Sequence, residues 1–129
     1  MIKQSFTVEN YWEVIVYYDV DYHFFDSIYL DLKSNGATEA NINTIYDELH
    51  EGKAKAVTFN SYTHHTSIVL FSKHESSEDY INSIVHEATH IMQALMKAYN
   101  VKNTDEPPAY TIGYLVMRMY EVFKKLICN

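Results

Sequence analysis

The sequence predicts an α+β fold in which a small, mostly antiparallel sheet packs on helices. Three short segments are rich in β-branched and aromatic residues, which favour strands. Four other segments repeat apolar residues at intervals of three and four, which is the period of a helix with one buried face. No repeat or interdomain linker interrupts the 129 residues. The predicted order is therefore β-α-α-β-β-α-α in a single domain, residues 1–129.

The first strand and two helices occupy the N-terminal part of the chain. Residues 11–20 are rich in valine, tyrosine and isoleucine and are predicted to form a strand. Residues 23–33 have helical periodicity, and Gly36 lies where that helix would end. Thr38 is placed to cap a second short helix, which we expect to stop near Gly52.

Two strands and a long helix follow. Residues 54–60 and 66–72 are predicted strands, with a turn at residues 61–65 between them. The helix runs over residues 79–99, with Ser76 or Ser77 as its N-cap. Its predicted buried face consists of apolar residues at helical spacing, namely Ile81, Ile84, Val85, Ala88, Ile91, Met92, Leu95, Met96 and Tyr99.

A final helix is predicted over residues 107–127. Proline suits the first turn of a helix, so Pro107 and Pro108 mark its start. Its predicted buried stripe is apolar and again has helical spacing, with Ile112, Leu115, Val116, Met119, Val122, Phe123 and Leu126.

Net charge and composition indicate which partners this protein binds and in which cellular compartment it works. The net charge of -7 argues against nucleic-acid binding, which usually needs a basic face. No apolar run approaches the length of a membrane span or of a signal peptide core. A single cysteine, Cys128, excludes an internal disulfide and indicates a reducing compartment. The expected location is the cytoplasm, with neither nucleic acid nor membrane as a partner.

The strongest functional signal is the string His86-Glu87-Ala88-Thr89-His90 within the third predicted helix. Residues four apart lie on one face of a helix, so both imidazoles can bind one transition metal. Glu87 can then accept a proton from a metal-activated water, as in zinc hydrolases, chiefly peptidases. The alternative is a pair of hydrogen-bonded, half-buried histidines.

A catalytic zinc usually has three protein ligands and one open position, so a third ligand is needed. Glu106, sixteen residues after His90 at the entry to the last helix, is the preferred candidate, with Asp105 as the alternative. Acidic residues are also favoured at helix N-termini for electrostatic reasons alone. Tyr110 and Tyr114 share a face with Glu106 and are candidates for stabilising an oxyanion, although a buried core role is equally compatible with their positions.

These two motifs together resemble zincin-type metallopeptidases of the glutamate-ligand group. The segment His86–His90, followed by Asp105-Glu-Pro-Pro-Ala-Tyr-Thr-Ile-Gly-Tyr-Leu115, is similar to small HExxH proteins of phages and bacterial mobile elements. The similarity extends from about Val57 onward and implies a minimal zincin-like domain. It implies His86, His90 and Glu106 as zinc ligands and Glu87 as the general base. It also implies that Ala109 and Gly113 are small so that the last two helices approach closely.

The resulting expectation is a zinc-dependent metallopeptidase acting on a peptide or protein substrate, with Zn²⁺ as its cofactor. The His₂Glu set fits zinc best, although iron, manganese or nickel can also occupy such ligands. Two alternatives stay open. One is a non-catalytic metal-binding or protein-interaction domain, and the other is a metal-free domain whose two histidines are satisfied core residues.

Overall fold

A computed structural model describes residues 1–101 and 106–127 of the chain. The chain contains two compact units, Met1–His74 and Glu75–Asn129. The first unit contains a four-stranded sheet with two helices, and the second contains two long helices. The α+β class predicted from the sequence is therefore confirmed, whereas the expectation of one domain stays a prediction.

The sheet consists of β1 (Ile2–Val8), β2 (Trp12–Tyr18), β3 (Ala56–Ser61) and β4 (Thr66–Phe71) in the order β1-β2-β4-β3. The pairs β1–β2 and β3–β4 are antiparallel, whereas β2 and β4 are parallel, with Glu13 opposite Thr66. The sheet is thus mostly antiparallel, as predicted. The predicted order lacked β1, so the observed order has one more strand at its start.

The strand β1 was missed because a polar residue interrupts its alternating pattern. Phe6 and Val8 are buried, but Gln4, on the same face of the strand, is a half-buried polar residue. The Tyr18 hydroxyl donates to Oε1 of Gln4 at 2.6 Å, which satisfies that amide within the sheet. A polar residue on the buried face therefore interrupts the two-residue apolar period by which an edge strand is predicted.

Two helices pack on this sheet: α1 (Phe25–Ser34) and α2 (Glu39–His50). A short 3₁₀ turn, Tyr22–Phe24, leads into α1. Thr38 caps α2 as predicted, because its hydroxyl accepts from the Asn41 amide while the Asn41 side chain accepts from the Thr38 amide. The core between the helices and the sheet contains Ile15, Tyr17, Val20, Ile28, Leu32, Ala37, Ile42, Leu49, Ile68 and Leu70.

Two polar contacts to one carboxylate join β1, β2 and α1 at the edge of this core. The hydroxyl of Tyr17 donates to Oδ2 of Asp31 at 2.6 Å. Lys3 forms an ion pair with the same oxygen at 3.0 Å. Burial first, and then the hydrogen bond to Asp31, raise the pKa of the Tyr17 phenol above its ordinary value.

The second unit contains α3 (Ser77–Ala98) and α4 (Glu106–Ile127). The Ser76 side chain accepts from the Asp79 amide, so Ser76 is the N-cap of α3, one of the two candidates predicted. Tyr80 near the start of α3 packs on Phe123 near the end of α4, with ring centroids 5.2 Å apart. The two helices are therefore antiparallel. No helix in the described ranges is both long enough and apolar enough to cross a membrane.

The predicted buried faces of these helices need correction at their borders. Ile81, Val85 and Tyr99 were expected to be buried on α3, but all three are exposed. Helical periodicity identifies an apolar stripe without fixing its width, so residues at its margin are the ones misassigned. On α4, Leu115, Met119 and Phe123 are buried as predicted, and the remaining predicted positions are half-buried.

Candidate metal centre

The two histidines of the HExxH string lie side by side on the exposed face of α3. Their Nε2 atoms are 3.2 Å apart, and both residues are exposed, with 67% of the His86 side chain accessible to solvent. The helix alone produces this arrangement, because residues four apart lie one turn above each other. The sequence therefore predicted the juxtaposition.

The separation of the two nitrogens fits a shared metal ion. Two zinc–nitrogen bonds of about 2.0–2.1 Å at a tetrahedral angle place the nitrogens about 3.3–3.4 Å apart. The 3.2 Å between the Nε2 atoms of His86 and His90 is close to that value. The same distance also allows one neutral imidazole to donate a hydrogen bond to the other. The pair can therefore provide two of the ligands of a tetrahedral metal.

Glu87 lies beside the pair but differs from it in burial. Only 4% of this residue is exposed, whereas both histidines face solvent. Its Oε2 atom is 3.9 Å from Nε2 of His86. A carboxylate at this distance is within reach of a water molecule that also contacts the His86 side of the pair. Its position is therefore compatible with a general base.

Glu106 is the first residue of α4 and is exposed. Within residues 1–101 and 106–127, no three His, Cys, Asp or Glu side chains form a group that could hold a metal. The structure thus brings the two histidines together without Glu106, whose role as third ligand stays a prediction. Asp105, the alternative ligand, lies outside the described residues.

The two tyrosines proposed as oxyanion donors differ in their surroundings. Tyr110 is 72% exposed. Tyr114 is half-buried, and its hydroxyl accepts a hydrogen bond from Nη1 of Arg118 at 3.0 Å. The guanidinium of Arg118 also lies over the Tyr114 ring, 5.9 Å from its centroid. Neither residue is a buried core tyrosine, and their catalytic role stays a prediction.

The expected close approach of α4 to α3 at Ala109 and Gly113 is wrong. Both residues are exposed, and a Cβ built on Gly113 would meet no atom within 4 Å. Burial on α4 is instead concentrated at Leu115, Met119 and Phe123, on another side of the helix. Small side chains at positions 109 and 113 therefore do not serve the packing of the helix pair.

A concave region in Met1–His74 was not predicted from the sequence. A cavity of about 490 Å³ lies where β2 and β4 end, and its lining includes Asp19, Tyr22, Tyr46, His50 and Lys73. The rings of Tyr46 and His50 stack with centroids 5.2 Å apart, and Tyr22 meets both edge-on. The carboxyl ends of neighbouring parallel strands commonly border ligand sites. The parallel pairing of β2 with β4, which is not readable from the sequence, places Asp19 and Lys73 at the same edge of the sheet.

Comparison of the chain with protein-family models, curated proteins and solved structures finds no match.

Proposed function

We propose that this protein is a zinc-dependent hydrolase that cleaves peptide bonds, with His86 and His90 as two of its metal ligands. The observation that supports the metal site is the 3.2 Å separation of their Nε2 atoms on an exposed helix face. The resemblance of the two sequence motifs to glutamate-ligand zincins supports the same chemistry. The single cysteine, Cys128, supports a cytoplasmic location.

The residues of this chain have separate tasks in the proposed reaction. A bound zinc ion supplies Lewis-acid polarisation and the activation of water at neutral pH. His86 and His90 hold the ion through Nε2. The Glu87 carboxylate takes one proton from the water whose oxygen attacks the scissile carbonyl carbon. As the carbon–nitrogen bond breaks, Glu87 returns that proton to the leaving amine, so the products are a carboxylic acid and an amine.

Glu106 is the proposed third ligand, and Tyr110 and Tyr114 are the proposed donors to the oxyanion. Because no third His, Cys, Asp or Glu joins the histidine pair within residues 1–101 and 106–127, ligation by the Glu106 carboxylate requires the first turn of α4 to approach the pair. For this reason the two histidines and Glu106 are tested separately.

The first experiment is metal content by elemental analysis of the untagged protein and its variants. We expect about one zinc per chain in the wild type and its loss in His86→Ala and His90→Ala. Loss in Glu106→Ala assigns the third ligand, whereas retention assigns it to another donor. No zinc in the wild type after reconstitution contradicts the metal site.

The second experiment is turnover of a mixed peptide library by the zinc-loaded protein. Glu87→Gln has nearly the same shape as the wild-type residue but cannot accept the proton. We expect it to retain zinc and lose at least about 10²-fold in rate. Wild-type rates in this variant would refute the role of Glu87.

A second candidate function is a non-catalytic metal-binding domain. Among the described residues the histidine pair lacks the third protein ligand that a catalytic zinc usually has. A zinc-loaded wild type that cleaves no peptide in the library would favour this candidate. A free energy of unfolding unchanged by chelation would instead favour the metal-free alternative.

A further inference from the structure

The exposed side of α3 is uncharged over most of its length. Between Asp79 and Lys97, the only Asp, Glu, Lys or Arg is Glu87, and Glu87 is buried. The remaining charged residues of α3, Glu78, Asp79 and Lys97, lie near its two ends. In a chain in which 21% of residues are charged, the middle of α3 therefore has no exposed Asp, Glu, Lys or Arg.

Apolar groups are exposed within this gap. Ile81 and Val85 are one turn apart and are 43% and 42% exposed. The Thr89 hydroxyl donates to the carbonyl oxygen of Val85 at 2.8 Å, so this hydroxyl is already satisfied within the helix. We define the uncharged face as Ile81, Val85 and Thr89 together with the exposed amides Asn82 and Gln93.

The uncharged face is continuous with the histidine pair. Val85 precedes His86 and is about 100° from it around the helix axis, and Thr89 stands in the same relation to His90. A polypeptide whose scissile carbonyl is at the histidine pair must extend over the surface next to it. On α3 that surface is the uncharged face.

We propose that the uncharged face binds the substrate polypeptide, and that the substrate class is a segment poor in charge and rich in apolar residues. This inference rests on the proposed function, because it assigns the substrate of the same site. A charged substrate residue lying on this face would lose part of its hydration and meet no opposite charge on the face. An apolar residue there would cover the exposed parts of Ile81 and Val85. Depletion of charge is also typical of the centre of protein interfaces.

The test measures binding rather than turnover. The probes are two short fluorescein-labelled peptides that differ only in having either valine and leucine or glutamate and lysine at the same positions. Zinc-loaded Glu87→Gln is the receptor, and fluorescence anisotropy gives the two dissociation constants. We expect the apolar peptide to bind about tenfold more tightly or better. Burying half of one valine or leucine side chain corresponds to roughly that factor in the dissociation constant.

Variants at Val85 locate the preference on α3. Val85→Asp and Val85→Lys, each in the Glu87→Gln background, should both reduce the preference to within about twofold while zinc content is unchanged. If both variants lose the preference, its cause is the desolvation of a charged group on this face. An effect of charge sign alone would change the preference in opposite directions in Val85→Asp and Val85→Lys. The matched control is Leu30→Asp, which replaces another exposed aliphatic residue on α1 and should leave the preference intact.

The outcomes separate this inference from the proposed function. Equal affinity for the two peptides, or a preference that survives both Val85 variants, overturns the inference even if the wild type hydrolyses peptides. A preference that disappears in both variants supports the binding face, even if the wild type hydrolyses neither peptide and the proposed hydrolysis fails. Self-association of the zinc-loaded wild type that Val85→Asp abolishes would overturn the inference by assigning the face to a second copy of the chain.

Discussion

Replacement of Gly113 by alanine is expected to stabilise the protein. Gly113 lies inside α4, is exposed, and has no atom within 4 Å of the position that a Cβ would occupy. Alanine is favoured over glycine in a helix interior by about 1 kcal/mol, and here it meets no steric penalty. The free energy of unfolding should therefore rise by about 0.5–1 kcal/mol.

Gly52 provides a matched control, because a Cβ there would also meet nothing within 4 Å. Its backbone, however, is left-handed, with φ +74°, as it follows the end of α2. Alanine in that conformation costs about 1–2 kcal/mol. Both substitutions reduce the entropy of the unfolded chain equally. The Gly113→Ala and Gly52→Ala variants should therefore differ by about 1–2 kcal/mol, with opposite signs relative to the wild type.

Urea unfolding followed by far-ultraviolet circular dichroism measures both free energies of unfolding. If the dependence of the free energy on urea concentration has the same slope in each variant, the difference between variants is one of stability. A Gly113→Ala variant less stable than the wild type would refute the reasoning. It would mean that another helix approaches Gly113 closely, as the resemblance to zincins implies. A Gly52→Ala variant of unchanged stability would refute the left-handed assignment at position 52.

Three further predictions concern the metal, the helix pair and pH. His90→Ala should weaken zinc binding about 10²-fold or more in a competition titration with a chelating dye. A four-ligand zinc site contributes about 10–16 kcal/mol of binding free energy, and one ligand about a quarter of that. His23→Ala, which removes another exposed imidazole, should leave the zinc affinity unchanged. Phe123→Ala should lower the free energy of unfolding by about 3–5 kcal/mol in urea, because the ring is fully buried against Tyr80. The pKa of Tyr17 is raised in the folded state, so its stabilising contribution is complete below about pH 10, the ordinary pKa of tyrosine. That contribution is lost as the pH rises through the folded-state pKa. The free energy of unfolding should therefore fall more steeply with alkaline pH in the wild type than in Tyr17→Phe.

Each of these has an outcome that would contradict it. A His23→Ala variant that loses as much zinc affinity as His90→Ala would make the binding nonspecific to exposed imidazoles. An unfolding free energy little changed by Phe123→Ala would mean that the helix pair does not depend on this ring. Identical alkaline unfolding of Tyr17→Phe and the wild type would remove the phenol as its cause.

The local elements of the fold were predictable because the sequence states their boundaries. Thr38, Ser76 and the two prolines at 107 and 108 mark helix starts through capping and fixed backbone geometry, and the helices begin within a residue or two of those marks. The long-range features were not predictable. The parallel pairing of β2 with β4 depends on tertiary packing, which local periodicity does not report.

In the candidate site, too, local features were predictable from the sequence and long-range features were not. The juxtaposition of His86 and His90 follows from helical spacing alone, so the sequence predicted it. The burial of Glu87 and the exposure of Val85 depend on how far the buried surface extends around α3, and four-residue spacing does not determine that extent. A third ligand from another helix depends on the register of α3 against α4, which the sequence does not specify.

The parallel pairing of β2 with β4 has a consequence for how Met1–His74 folds. The hairpins β1–β2 and β3–β4 join neighbouring segments, whereas α1, α2 and β3 lie between Glu13 and Thr66 in the chain. Closure of such a long chain segment costs entropy before the contacts that repay it exist, so this pairing should limit the folding rate. Trp12, the only tryptophan, donates from Nε1 to Oγ of Ser67 across that seam at 2.9 Å. The chain therefore has its own fluorescent reporter at the slowest step of assembling the sheet.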